Sequence, residues 1–164
     1  MTATVRRATR ADASALYAHW SELRRYNASI DPRVLPVPVA ADDFAAGLDA
    51  VLARDSSVAF VAELEGKLAG FISGGVERNH PDRLPELHAT VGYLWVASTA
   101  RRNGIGGKLF AAVCDWAGTQ QGVAHLEMTV LSADEDAAAF WRSMGFSPFI
   151  ERVWAPLPTR KARA

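Results

Sequence analysis

The residues of this 164-residue chain with the clearest chemical potential are Arg101-Arg102-Asn103-Gly104-Ile105-Gly106-Gly107. They sit where an apolar extended stretch, Val91 to Val96, gives way to a helical pattern beginning near Gly104. Glycines let the backbone approach a ligand with no Cβ in the way, and the free N–H groups of a helix start turn partial positive charge toward it. Such a joint binds anions, and a phosphate or diphosphate fits it. It is not a P-loop, because Gly107-Lys108 is followed by Leu109 and the earlier glycine position holds Arg102. Nor is it a dinucleotide fingerprint, since Leu109 replaces the third small residue and the turn follows a late strand, not the first.

Other reactive side chains are sparse. The four histidines, His19, His80, His88 and His125, show no paired spacing of the zinc type, so no metal is expected. The single cysteine, Cys114, excludes an internal disulfide framework and falls inside a helical pattern, where it reads as a small buried residue.

The elements that position the glycine turn follow from periodicity. Thr4 to Ala8 reads as a short strand, and Asp12 caps a helix whose apolar positions Ala15, Leu16, Trp20 and Leu23 recur at helical spacing and which ends near Tyr26. Asn27 to Val39, with Pro32, Pro36 and Pro38, reads as a lid or specificity loop. A second helix starts at Asp42 or Asp43. Ser57 to Glu63 and Lys67 to Val76 form an antiparallel hairpin around Glu65-Gly66. A strand from Leu87 to Val96 leads into the turn, and Gly104 to Ala117 follows as a helix. His125 to Val130 is a strand, Asp134 to Met144 a helix with Asp134 at its N-cap, and Phe146 to Trp154 a final strand. No repeat or linker interrupts this order. Residues 1–155 therefore read as one α/β (α+β) domain, a mixed sheet with helices on its faces, and 156–164 as a frayed tail.

Eighteen basic and eighteen acidic residues leave no net charge, so neither a nucleic acid nor an anionic membrane is an expected partner. A small ligand fits better. With no apolar stretch of membrane-spanning length and no leader-like N-terminus, the expectation is a cytoplasmic protein.

Arg101-x-x-Gly104-x-Gly106 after a strand resembles the acyl-CoA signature of the GNAT N-acetyltransferase superfamily, Arg/Gln-x-x-Gly-x-Gly/Ala. A second frame of that family, Asn-x-x-Ala, three residues, Tyr, three residues, Gly-Phe, is matched by Asp134, Ala137, Trp141, Gly145 and Phe146. The resemblance implies a mostly antiparallel central sheet with a splayed strand pair, acetyl-CoA as co-substrate, and acetyl transfer to a primary amine of a small molecule or peptide by direct attack in a ternary complex. It implies that backbone N–H groups of Arg102, Asn103, Gly104, Ile105, Gly106 and Gly107 cradle the diphosphate, with Arg101, Arg102 and Lys108 as side-chain helpers. Pantetheine would lie along Leu94, Trp95 and Val96 at a bulged strand end, and Asp134, Ala137 and Trp141 would border the cofactor. A backbone amide at the splay would bond the thioester carbonyl as it gains charge.

Two departures bear on mechanism. Trp141 replaces the tyrosine that acts as general acid in the family, and indole has no usable acidity near neutral pH. Plain core packing beside Phe140 and Phe146 is its simpler role. Asp134 replaces asparagine and loses the amide donor. Strand alternation puts Glu86, His88, Thr90 and Gly92 on one face, where the family often places a general base. Thr90 and Gly92 carry none, so His88, acting through water, is the candidate, with Glu86 behind it. A structural histidine is the commoner use of such a position. Tyr26, Asn27, Asp31 and Thr90 are the candidate acceptor-binding residues. The alternative function is a catalytically weak acyl-CoA-binding regulatory module of the same fold. Relatives that pair through C-terminal strands make a homodimer an expectation, with Val153-Trp154 as its apolar surface.

Overall fold

In the computed structural model, which describes residues 2–157, the chain runs β1 (Thr4–Arg7), α1 (Ala13–Ile30), α2 (Ala41–Leu52), β2 (Ser57–Leu64), β3 (Lys67–Arg78), β4 (Leu87–Val96), α3 (Ile105–Gly118), β5 (Val123–Met128) and α4 (Glu135–Ser143). The sheet order is β1-β2-β3-β4-β5, antiparallel throughout except for the parallel pair β4 and β5. That one parallel pair needs a crossover, and α3 supplies it.

Alternation in β2 explains why both sheet faces are covered. Val58, Phe60 and Ala62 join the core beneath α3, while Ala59 and Val61 face the core under α1 and α2. The hairpin between β2 and β3 closes on Glu65 at φ 54° and Gly66 at φ 74°, the paired positive values that a two-residue turn of matching twist demands. In α3, Ile105, Leu109 and Val113 recur at helical spacing and are fully buried. Each such side chain stabilises the fold by about 1.5–3 kcal/mol relative to exposure.

Three expectations are corrected. The first helix continues to Ile30, so Tyr26 and Asn27 lie on its last turns and the loop begins at Asp31. Asp12 makes no side-chain cap for α1; its carboxylate instead accepts from the Thr9 backbone at 2.7 Å and from Arg6 Nη1 at 2.8 Å. The final strand from Phe146 to Trp154 is not formed.

The reason for that last difference is local. Gly145, at φ 94°, sits just past the end of α4, where its N–H donates to Arg142 O at 3.1 Å and the Phe146 N–H donates to Trp141 O at 3.0 Å. This is a Schellman stop, and Phe146 seals it by packing 5.3 Å from the Trp141 ring. Pro148 then removes a ladder donor, and 147–157 run on as exposed coil. Of the tail expected at 156–164, residues from 158 onward lie outside the described residues.

Candidate active site

The site is built where β4 parts from its neighbours. Ser73 pairs with Tyr93 and Gly74 with Val91, which leaves Gly92 as an extra residue in β4. A Cβ at Gly92 would lie 2.9 Å from Ser73 Oγ, so glycine is the residue this bulge accommodates. The Tyr93 N–H donates to that same hydroxyl at 3.0 Å. Beyond the bulge the parity of the strand is exchanged: Leu94 and Val96 pack with the α3 core, and Trp95 with the α1 core.

The ladder between β4 and β5 ends at Val91 and Met128. From Gly92 to Val96 β4 therefore has β3 on one side and a gap on the other. Ala97 N donates to Ala69 O at 2.9 Å, and backbone directions alternate along a strand, so the N–H groups of Leu94 and Val96 point into the gap.

After β4 a 3₁₀ turn at Ser98–Ala100 leads into the glycine-rich loop. Arg102 at φ 64° and Gly104 at φ 71° are both left-handed, a curvature that turns successive N–H groups inward. Asn103 braces the turn by donating from Nδ2 to the carbonyls of Ala100 and Arg101, each at 3.2 Å. None of the six N–H groups from Arg102 to Gly107 donates to a described residue, whereas Lys108 N reaches Gly104 O at 3.1 Å. Six unmet donors at the start of a 14-residue helix fit a diphosphate well. Gly106 also lets α3 approach α4, since a Cβ there would stand 3.2 Å from the Phe140 ring.

Two of the three cationic side chains at this loop are otherwise engaged. Arg101 donates from Nε to Val96 O at 3.0 Å and lies over the rings of Trp95, at 4.6 Å, and Tyr26, at 5.7 Å. Lys108 reaches Ala3 O with its ammonium at 3.2 Å, on the β1 side of α3. Arg102 is exposed and makes no described contact.

From the other face, Tyr26 donates its hydroxyl to Asp134 Oδ1 at 3.2 Å, and the same oxygen caps α4 by accepting from Ala137 N at 2.9 Å. Desolvation, with the Asp134 carboxylate close behind it, pushes the Tyr26 phenol above its ordinary range. Trp95 Nε1 donates to Glu22 Oε2 at 3.1 Å, and His19 Nδ1 lies 3.3 Å from that oxygen. Burial raises the Glu22 carboxyl, but the bonds from His19 and Trp95 outweigh it and hold the group below the usual range. Glu22 and His19 escaped the sequence reading. Their signal is the spacing of His19, Glu22 and Tyr26, which puts three polar groups on one face of α1.

Trp141 is buried in an aromatic group with Phe110, Phe140 and Phe146, at ring separations of 5.6, 5.0 and 5.3 Å. Asp31 spends its carboxylate on Arg33, which lowers it to about 2, and Asn27 accepts the Asp31 N–H at its own carbonyl. Thr90 donates to Gly75 O at 3.3 Å and lies 3.4 Å from Glu77 Oε1. Glu86 pairs with Arg78 at the entrance to β4. His88 is buried, with Nε2 3.8 Å from Glu127 Oε2 and its ring stacked on His125. The Cys114 thiol is pushed up by burial and by Asp115, as befits an inert helix residue.

Fold and site together define an α/β protein built around a sheet that splits at a bulged strand and feeds a loop lined by unmet backbone amides. The sequence model of the acetyltransferase (GNAT) family matches residues 15–146, and the chain belongs to that family. A mutant of the BH1408 protein from Bacillus halodurans is 19% identical with a TM-score of 0.83, over 94% of this chain and 99% of that one. The aminoglycoside N-acetyltransferase AAC(6')-Iy, solved in complex with CoA, is 17% identical with a TM-score of 0.72, over 96% of this chain and 95% of that one. Glucosamine-6-phosphate N-acetyltransferase from Arabidopsis thaliana is 16% identical with a TM-score of 0.66, over 96% and 99%. None of the curated proteins matches the chain in sequence. Among the described residues, no helix is long and apolar enough to cross a membrane.

Proposed function

We propose that this protein is an N-acetyltransferase that moves the acetyl group of acetyl-CoA to a primary amine of a small molecule or peptide by direct attack in a ternary complex. The observation that carries the reading is the unbroken run of unmet N–H groups from Arg102 to Gly107 at the head of α3, beside a gap into which Leu94 and Val96 present theirs. Acetyl-CoA supplies an activated acyl group on a thiol leaving group. The loop amides hold its diphosphate, the gap-facing edge of β4 orients its pantetheine, and Asp134 and Ala137 fix the end of α4 against it. A gap-facing amide of β4 stabilises charge on the acetyl oxygen during attack. His88 receives the proton that an incoming ammonium must lose, by way of a water along Thr90.

Tyr26, with Asn27, Asp31 and Thr90 around it, borders the acceptor side. Trp141 walls the cofactor but donates no proton, so the thiolate leaves to solvent or is protonated by it. An enzyme of this kind works where acetyl-CoA is held, which we take to be the cytoplasm. It acts as a homodimer, a reading supported by Phe149, Ile150, Val153 and Trp154, all more than half exposed, and by β5, an edge strand paired among the described residues with β4 alone.

The test is thiol release from acetyl-CoA against amino acids, polyamines, aminoglycosides and peptides. Release with one amine class is the expected result. Acetyl-CoA affinity without turnover on any of them would make the chain a binding module instead.

A further inference from the structure

The only buried side-chain polar atom without a hydrogen-bond partner among the described residues is His88 Nδ1. Closing off a nitrogen in this way forfeits its hydration with nothing in return, so such an atom calls for a reason. Its ring is more than nine-tenths buried, and its other nitrogen, Nε2, faces Glu127 Oε2 at 3.8 Å. The second oxygen of that carboxylate, Oε1, lies 3.0 Å from His125 Nε2. The two imidazoles stack at 5.6 Å with only 15° between their planes. Both histidines thus turn Nε2 toward one carboxylate.

We infer that Glu127 and His125 are positioning residues that hold His88 as a proton acceptor, an inference that rests on the proposed acetyl transfer. An ionised carboxylate only accepts hydrogen bonds, so Glu127 selects the tautomer of His88 that carries its proton on Nε2. The lone pair is then left on Nδ1, the nitrogen with no partner. His125 donates to Oε1, which fixes the carboxylate, and its stacked ring fixes the plane of His88. A separation of 3.8 Å is too long for a direct bond in the resting state. It shortens, or takes up one bridging water, when the imidazole gains charge.

The charged groups around the ring suit this role. On β3, Glu77 is the register partner of His88 and shares its face. On β5 stand Glu127 and His125. Arg78 and Glu86, at the strand ends, neutralise each other. Carboxylates therefore flank His88 from both neighbouring strands. In the step itself one N–H bond of the alkylammonium breaks as an O–H bond forms on the relaying water, and that water gives up one of its own O–H bonds as an N–H bond forms at Nδ1. The electron pair left on the amine attacks the acetyl carbonyl, and the imidazolium, countered by Glu127, later returns its proton to solvent.

Two variants test this, Glu127→Ala, which removes the carboxylate, and His125→Phe, which keeps a stacking ring and removes the donor. Nitrogen-detected NMR of the imidazoles reads the tautomer without turnover, kinetics with whichever panel amine releases thiol reads kcat and KM, and calorimetry reads acetyl-CoA affinity. In the wild type His88 should carry its proton on Nε2. Glu127→Ala should mix the tautomers and lower kcat about tenfold, a part of the roughly 10²–10⁴-fold that acid–base assistance supplies, with acetyl-CoA affinity within a factor of two. His125→Phe should lie between. An unchanged His88 tautomer and unchanged kcat in Glu127→Ala would overturn the inference while leaving acetyl transfer standing. A wild type that binds no acetyl-CoA would overturn the function first and the proton role with it.

Discussion

Gly104 offers a clean separation of fold from ligand. Its φ of 71° is left-handed, and a Cβ built there meets nothing within 4 Å. A side chain at this position therefore strains the backbone by about 1 kcal/mol but clashes with no part of the protein. Asn and Asp tolerate this conformation better than other residues and have the same shape. Gly104→Asn and Gly104→Asp should accordingly melt within a degree or two of each other. They differ in one charge. A carboxylate held about 5 Å from a bound phosphate, at an effective dielectric of about 20, opposes it by roughly 3 kcal/mol. That amounts to an affinity for acetyl-CoA about 150-fold weaker in Gly104→Asp than in Gly104→Asn. Calorimetry at low and at physiological salt measures both, and the gap should narrow as salt screens the charge. If the two variants bind acetyl-CoA within about threefold of each other, the diphosphate does not lie against this loop.

Three further outcomes follow from the geometry. Arg6 lowers the Asp12 carboxyl from 3.8 to about 2, so the pair's stability is fully present above pH 4 and is lost as pH falls toward 2. Because the Arg6 side chain is 41% exposed, the contribution is about 1 kcal/mol rather than the full shift. Arg6→Ala should thus lower the melting temperature at pH 7 and converge on the wild type near pH 2; a constant difference across that range would refute the assignment. Trp141→Tyr should keep kcat or raise it by supplying a phenol, whereas Trp141→Ala should cost about 3–5 kcal/mol of stability in denaturant melts. Complete loss of turnover in the tyrosine variant would show that the indole shapes the site. Replacing Val153 and Trp154 by aspartate should turn a dimer into a monomer in sedimentation, and an unchanged oligomer would remove the C-terminal segment from the interface.

The parts of the fold that depend on local pattern were readable in the chain. Glu65-Gly66 names its turn, β4 was bounded correctly at Leu87 and Val96, and the apolar period of α3 is unambiguous. Where tertiary contacts compete with pattern, reading failed. Phe146 to Trp154 is rich in strand-forming residues, yet Gly145 stops α4 in a way that commits Phe146 to an aromatic group, and no ladder follows. The bulge at Gly92 was invisible to strict alternation, because one inserted residue exchanges the faces of everything after it. The loop's backbone could be anticipated from its glycines. The course of Arg101 and Lys108 could not, since Val96 O and Ala3 O, which receive them, are set by how the loop and α3 sit on the sheet. The neighbours of His88 come from β5, a strand whose register no short motif encodes.

Tyr26 has one further consequence. Its ring lies under the Arg101 guanidinium that ties the glycine-rich loop to Val96, and its hydroxyl bonds the carboxylate that caps α4. One side chain of α1 thus touches both the glycine-rich loop and the α4 cap. If α1 were to move outward to admit a bulkier amine, it would loosen the loop and the α4 cap together. Under the proposed acetyl transfer, acceptor size and donor affinity would for that reason not be independent quantities, and broadening the choice of amine would weaken the hold on the acyl donor.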